Sequence, residues 1–187
     1  MKSLFLICLV SVLLTACGSN PVVVQAESAQ ESPTLSIQEI LALDDPWECY
    51  IQMSNHLWIK SAYMESMDVL TAEEQVFLMV DYLQMEVNNG GLDQFFFNSS
   101  GDYAQNILEA CETVGASQSA ALLRQAMAEF PDGQVPADRE ARWKLMEELP
   151  ESHSDAWSAL DEEFWSDPDN IAHCLSDYAQ AHQEQFS

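Results

Sequence analysis

The chain is 187 residues long, one domain's worth, with 31 Asp and Glu against 6 Lys and Arg for a formal net charge of −25. Hydrophobic residues at 48% and aromatic residues at 10% exclude general disorder despite that charge. A pI near 4.1 argues against direct nucleic-acid binding, because phosphate contacts need clustered Lys and Arg.

Residues 1–17 read MKSLFLICLVSVLLTAC. Lys2 supplies a positive start, and Leu4 to Leu14 form an apolar stretch shorter than the ~20 residues that span a membrane. Leu14-Thr15-Ala16-Cys17 then resembles the lipobox of bacterial lipoproteins, where the peptidase cuts before a lipid-modified cysteine. Residues 1–16 are accordingly expected to be a lipoprotein signal peptide and Cys17 the lipidation site. The expected location is the non-cytoplasmic side of the cell envelope, with the membrane reached through the lipid anchor alone. Gly18 in place of Asp gives no inner-membrane retention signal, so in a Gram-negative cell the outer membrane is expected. Residues 17–34 mix small, polar and Pro residues without a period and read as a flexible linker.

From residue 35 to 187 the apolar spacing is helical, and the fold class it predicts is an all-α, compact multi-helix domain. A short helix over 36–43 stops before Asp45-Pro46, and a second runs from Trp47 to about Ser61. Thr71-Ala-Glu-Glu74 is a capping box, in which hydroxyl and carboxylate satisfy backbone donors at a helix start. That helix should run to Val87 and stop at Asn88-Asn89-Gly90-Gly91. It is apolar nearly all round, as a central helix packed by several neighbours would be, or one partly covered in a dimer. Further helices are expected over 102–114, from a Ser117 cap to about Phe130, and over 137–149, 155–165 and 168–183.

Little here signals catalysis. Cys49, Cys111 and Cys174 allow at most one disulfide, and Cys111 and Cys174 sit on apolar stripes as buried thiols would. His56, His153, His173 and His182 show no metal spacing, and neither G-x-S-x-G nor a phosphate loop occurs. The sequence therefore calls for no enzyme activity, no cofactor and no metal. Acid pairs are common enough for glycosidase-like chemistry, but with 31 acids some pair by chance.

The charge is uneven. Between Lys60 and Arg124 ten acids occur without a base, and after Lys144 eleven more. Glu73, Glu74, Asp81, Asp161, Glu162 and Glu163 represent this candidate acidic surface. Compensating i,i+4 pairs are almost absent, so self-repulsion opposes compaction. Solubility alone is one reason for such a surface; attraction of a basic protein or peptide is the other. Carboxylates four residues apart on a helix lie about 6 Å apart, a spacing comparable with successive phosphates.

The most distinctive stretch is Glu86-Val-Asn88-Asn89-Gly90-Gly91-Leu-Asp93-Gln94-Phe95-Phe-Phe-Asn98-Ser-Ser-Gly101-Asp102. With Val114-Gly115-Ala116, Phe130-Pro-Asp-Gly133 and Leu160-Asp-Glu-Glu-Phe164, it resembles the bacterial family typified by DNA mimic protein nineteen, from about Thr71 to Tyr178. The resemblance implies an all-helical domain, often a homodimer, with an acidic surface. In the founding member that surface occupies the DNA-binding face of a transcription factor and relieves repression. Read from the residues, the motif is mainly architectural. Its Asn and Gly residues turn the chain, and Phe95, Phe96 and Phe97 supply core area. Glu86 should accept backbone donors from the Asn-Gly turn. The alternative is a polar small-molecule or enzymatic pocket of Glu86, Asn89, Asp93 and Gln94.

With the leader included, the leading expectation is an envelope-anchored, non-catalytic protein that binds a basic partner. A cytoplasmic DNA mimic is the alternative, and a polar or enzymatic site at the motif is the second.

Overall fold

The computed structural model describes residues 35–187. The leader, Cys17 and the linker over 17–34 lie outside the described residues. Those described form eight α-helices and no strand, as the spacing predicts.

Helix α1 (Ile37–Leu41) opens with a Ser36–Glu39 capping box, and α2 (Pro46–Lys60) with Asp45 accepting from the Trp47 N–H at 2.9 Å. Helix α3 (Ala72–Phe97) begins at the predicted box, where Thr71 Oγ1 accepts from Glu74 N at 3.1 Å and Glu74 Oε2 from Thr71 N at 2.9 Å. It does not stop at the Asn-Gly run. It kinks at Gly90 and Gly91 and continues as a second, short arm to Phe97. The core is built on it: Phe77, Leu78, Val80, Leu83, Val87, Phe95 and Phe96 are all buried, against α2, α4 (Ala104–Val114), α6 (Arg139–Glu148), α7 (Ser152–Trp165) and α8 (Ile171–Ala181). Intramolecular packing thus covers most of the all-round apolar surface; Met85 stays 45% exposed. Phe97 also departs from expectation, being exposed and stacked on Trp143 at 4.9 Å between ring centroids.

Helix α5 (Ser117–Met127) corrects another reading. Ser117 is its first residue rather than its cap, and Asp169, far along the chain, accepts from the N–H groups of Gln118 at 3.1 Å and Ser119 at 2.6 Å. A distant carboxylate does the work of a local cap and gains from the helix dipole. The three cysteines among the described residues are free. Cys49 and Cys111 are buried, and Cys174 is half-buried. Burial, then the nearby Asp169, pushes the Cys111 thiol up to about 12, so it stays protonated and inert. No described helix is long and apolar enough to cross a membrane.

Candidate functional site

The motif folds into the joint that holds α3, α6 and α7 together. Gly91 adopts φ +75° and ψ −173°, a region open in practice to glycine alone. A Cβ there would stand 2.3 Å from Asp161 Oδ2, while Asp161 Oδ1 accepts from the Leu92 N–H at 2.8 Å. Asp161 therefore caps the second arm of α3 from across the core. Burial pushes its carboxyl above the usual value, against the lowering by the Leu92 N–H.

Glu86 is 6% exposed, and its partners are not the backbone donors expected of it. Its Oε2 accepts from the side-chain amides of Gln94 at 2.8 Å and Asn98 at 2.9 Å, and Asn89 in turn donates to Gln94 Oε1 at 3.1 Å. The kink brings Gln94 and Asn98 back over the first arm, out of reach of any reading based on helical spacing alone. Asp93 and Asn88 point away, both exposed. The sequence-based pocket of Glu86, Asn89, Asp93 and Gln94 is thus a closed amide network without Asp93. Glu86→Gln should cost about 1–3 kcal/mol by opposing an amide to the two amide donors, read as a lower urea midpoint; an unchanged midpoint would show the network to be dispensable.

The third anchor was missed entirely. Arg142 is fully buried and donates to the carbonyls of Phe96 (2.6 Å), Asn98 (2.9 Å), Pro136 (2.7 Å) and Ala137 (3.4 Å), and to Asp102 Oδ1 (2.6 Å). Gly101 leaves room for it, since a Cβ there would lie 2.6 Å from Arg142 Nε. Burial acts to raise the Asp102 carboxyl, but the hydrogen bonds and charges of Arg139 and Arg142 outweigh it and hold it below 3.8. The stability Asp102 contributes is therefore complete above that unfolded value and lost as pH falls through the lower folded one. Asp102→Asn should flatten this acid limb of a stability–pH curve, and an unaltered limb would contradict the assignment.

The candidate acidic surface divides. Glu162 and Glu163 are exposed and Glu73 half-buried, whereas Glu74, Asp81 and Asp161 are buried and leave the surface. Glu74 is taken by Lys60 at 2.8 Å, by its own capping box and by Ser187 N at 3.0 Å. Asp81 accepts from Tyr50 Oη (2.6 Å), Ser54 Oγ (2.7 Å) and Trp58 Nε1 (2.6 Å). An acid inside the run Leu78-Met-Val-Asp-Tyr-Leu83 was the available sign of its burial. Ionic partners are scarce: Lys60–Glu74, Arg124–Glu112, Arg139–Asp102 and Arg142–Asp102 account for every ion pair among the described residues.

Asp81 lies at the base of a groove of about 660 Å³ between α2 and α3. Trp47, Tyr50, Trp58, Tyr63 and Tyr82 line it, with Met85 and Glu86 on the α3 side. Trp58 meets Tyr82 edge-on at 5.4 Å and Tyr63 at 6.4 Å between centroids. Tyr63 is carried there by three successive residues of left-handed backbone, Ala62, Tyr63 and Met64, at φ 49°, 57° and 73°. Such a run strains non-glycine residues. Buried Ser61 braces it, donating through Oγ to Trp58 O at 3.2 Å and accepting from Met64 N at 3.3 Å.

Among the described residues no group of three or more His, Cys, Asp or Glu is placed to hold a metal ion. The class these features define is an acidic all-α domain organised around one kinked, glycine-hinged helix. The chain belongs to the DMP19-like protein family, whose model matches residues 68–182, from the turn before α3 to the end of α8. No curated protein and no solved structure matches the chain.

Proposed function

We propose that the protein is a non-catalytic binding protein, held at the cell envelope by a lipid on Cys17, whose negative helical surface captures a basic protein or peptide. The observation that carries this reading is the fate of the bases. Four of them, Lys60, Arg124, Arg139 and Arg142, are spent on ion pairs within the chain, and among the described residues every exposed acid except Glu112 is left without an ion-pair partner. Glu147, Glu148, Glu151, Asp155, Glu162 and Glu163 all face solvent along α6 and α7, with Lys144 the single base nearby in sequence. A field of that sign concentrates cationic partners and repels nucleic acid.

Family membership supports a second reading, a cytoplasmic DNA mimic occupying the DNA-binding face of a transcription factor. Compartment separates the two. Membrane fractionation and intact mass of the native protein, beside a Cys17→Ala form, should show wild type in the membrane, shortened by the leader and heavier by acyl groups. A full-length, soluble cytoplasmic protein would overturn the envelope reading and favour the mimic. The third reading, a polar or enzymatic site within the motif, has little left to act with. Asn89, Gln94 and Asn98 are engaged with one another and with Glu86, and the exposed Asp93 and Asn88 take no part in that network.

A further inference from the structure

We propose that the α2–α3 groove is the specificity pocket for the basic partner, seating an arginine side chain of that partner between the Trp58, Tyr63 and Tyr82 rings and the Asp81 and Glu86 carboxylates. The inference rests on the basic-partner reading and adds where the partner is recognised and by which side chain.

Charge comes first. The groove is lined by two carboxylates and by no Lys, Arg or His. Both carboxylates are buried, at 3% and 6% exposure, and both are held by neutral donors alone: hydroxyls and an indole for Asp81, amides for Glu86. Elsewhere, buried Glu74 and the paired Asp102 have cations of their own, and buried Asp161 is taken up in capping the Leu92 N–H, away from this groove. A buried negative charge without a counter-ion is costly, and two at one cleft leave the site complementary to a cation.

Unused acceptors come second. Glu86 Oε1 has no donor among the described residues, and Gln84, another lining residue, has its Oε1 buried without a partner. An arginine brings a planar fork of N–H donors, which suits a carboxylate that keeps one oxygen unused.

The rings are the third observation. Trp47, Ile59, Tyr63 and Met85 are among the large apolar side chains left exposed in this protein, at 54%, 65%, 71% and 45%, and all four border this groove. A guanidinium stacks on aromatic faces, and its weak hydration makes the transfer cheaper than for an ammonium. A neutral apolar ligand would cover the rings and strand the carboxylates; an anion would be repelled.

The test is calorimetric titration with a glycine–arginine repeat peptide, against glycine–lysine and glycine–glutamate peptides of equal length. Tyr63 and Met85 are exposed, so Tyr63→Ala and Met85→Lys should fold normally, as unchanged melting would confirm. The arginine peptide should bind more tightly than the lysine one, and the glutamate peptide not at all. Met85→Lys, which plants a cation in the groove, should weaken arginine-peptide binding about tenfold or more, Tyr63→Ala several-fold, and Met85→Leu hardly at all. The double variant Glu162→Lys, Glu163→Lys, outside the groove, should weaken both cationic peptides alike and keep the arginine preference. If Met85→Lys and that double variant act equally, with arginine and lysine indistinguishable, the groove is overturned while diffuse capture of a basic partner stands. If neither cationic peptide binds, both readings fall. If Met85→Lys instead abolishes self-association and peptides do not bind, the groove's occupant is a second copy and the arginine assignment is wrong.

Discussion

Replacing Arg142 by methionine is expected to cost about 3–5 kcal/mol, the largest effect of any single substitution considered for this fold. The guanidinium is fully buried and satisfies four carbonyls and one carboxylate drawn from two separate stretches, the end of α3 with its following turn and the approach to α6. Methionine fills part of the volume but takes the guanidinium donors from the carbonyls of Phe96 and Pro136, leaves Asn98 O with the Gly101 N–H alone at 3.3 Å, and leaves Asp102 with Arg139 alone. Each orphaned buried acceptor costs on the order of 1–3 kcal/mol before relaxation. Lysine should not rescue, because one ammonium cannot reproduce the fork that reaches Phe96 O through Nε, Pro136 O through Nη1 and Asn98 O through Nη2. Thermal melting should fall by about 10 °C or more for a domain of this size. A fall of one or two degrees would mean that water replaces the guanidinium and that the anchor is not structural.

Gly91→Ala should destabilise by about 3 kcal/mol or more, while Gly90→Ala next to it costs about 1 kcal/mol. The two glycines look equivalent in the sequence and are not. Gly91 combines a glycine-only backbone with a Cβ position 2.3 Å from the Asp161 carboxylate, so alanine both strains the hinge and displaces the cap on Leu92. Gly90, at φ −156° and ψ 19°, needs no left-handed backbone, and its added Cβ would press chiefly on the Gln94 side chain, whose amide end at 2.3 Å can move aside. Urea unfolding of the two variants reads the contrast directly. Equal losses would show that the kink tolerates side chains generally and that its geometry is not set by Gly91.

These two expectations mark the boundary of what the sequence could disclose. Local signals were legible: the Thr71–Glu74 capping box, the helical apolar spacing and the Asn-Gly break in α3 each depend on residues within a turn or two. The failures share a cause, which is contact between residues distant in the chain. Arg142 sits in a highly charged helix and has nothing nearby to announce burial; three of its partners, Phe96, Asn98 and Asp102, lie forty or more residues upstream. Asp161 and Asp169 read as members of an acidic surface or run, yet each caps a helix far away in sequence. Counting acids therefore overstated the exposed acidic surface, because Glu74, Asp81 and Asp161 are buried. The groove was invisible for the same reason: its aromatic wall comes from α2 and its carboxylates from α3, and no motif spans both.

Glycines and aromatics of the motif thus explain the fold, and the acids that stay exposed are what the proposed capture of a basic partner rests on. The left-handed turn at 62–64 serves both core and groove, since it packs Met64 against the core and places Tyr63 at the groove wall.

The central claim, electrostatic capture of a basic partner, is tested most directly by titrating the mature domain with the glycine–arginine peptide across a salt series. Between about 0.05 M and about 0.5 M salt the Debye length shrinks severalfold, so the dissociation constant should rise about tenfold or more. Neutralising Glu162 and Glu163 to glutamine should reduce that slope. Affinity that is unchanged by salt, or absent at low salt, would contradict the claim.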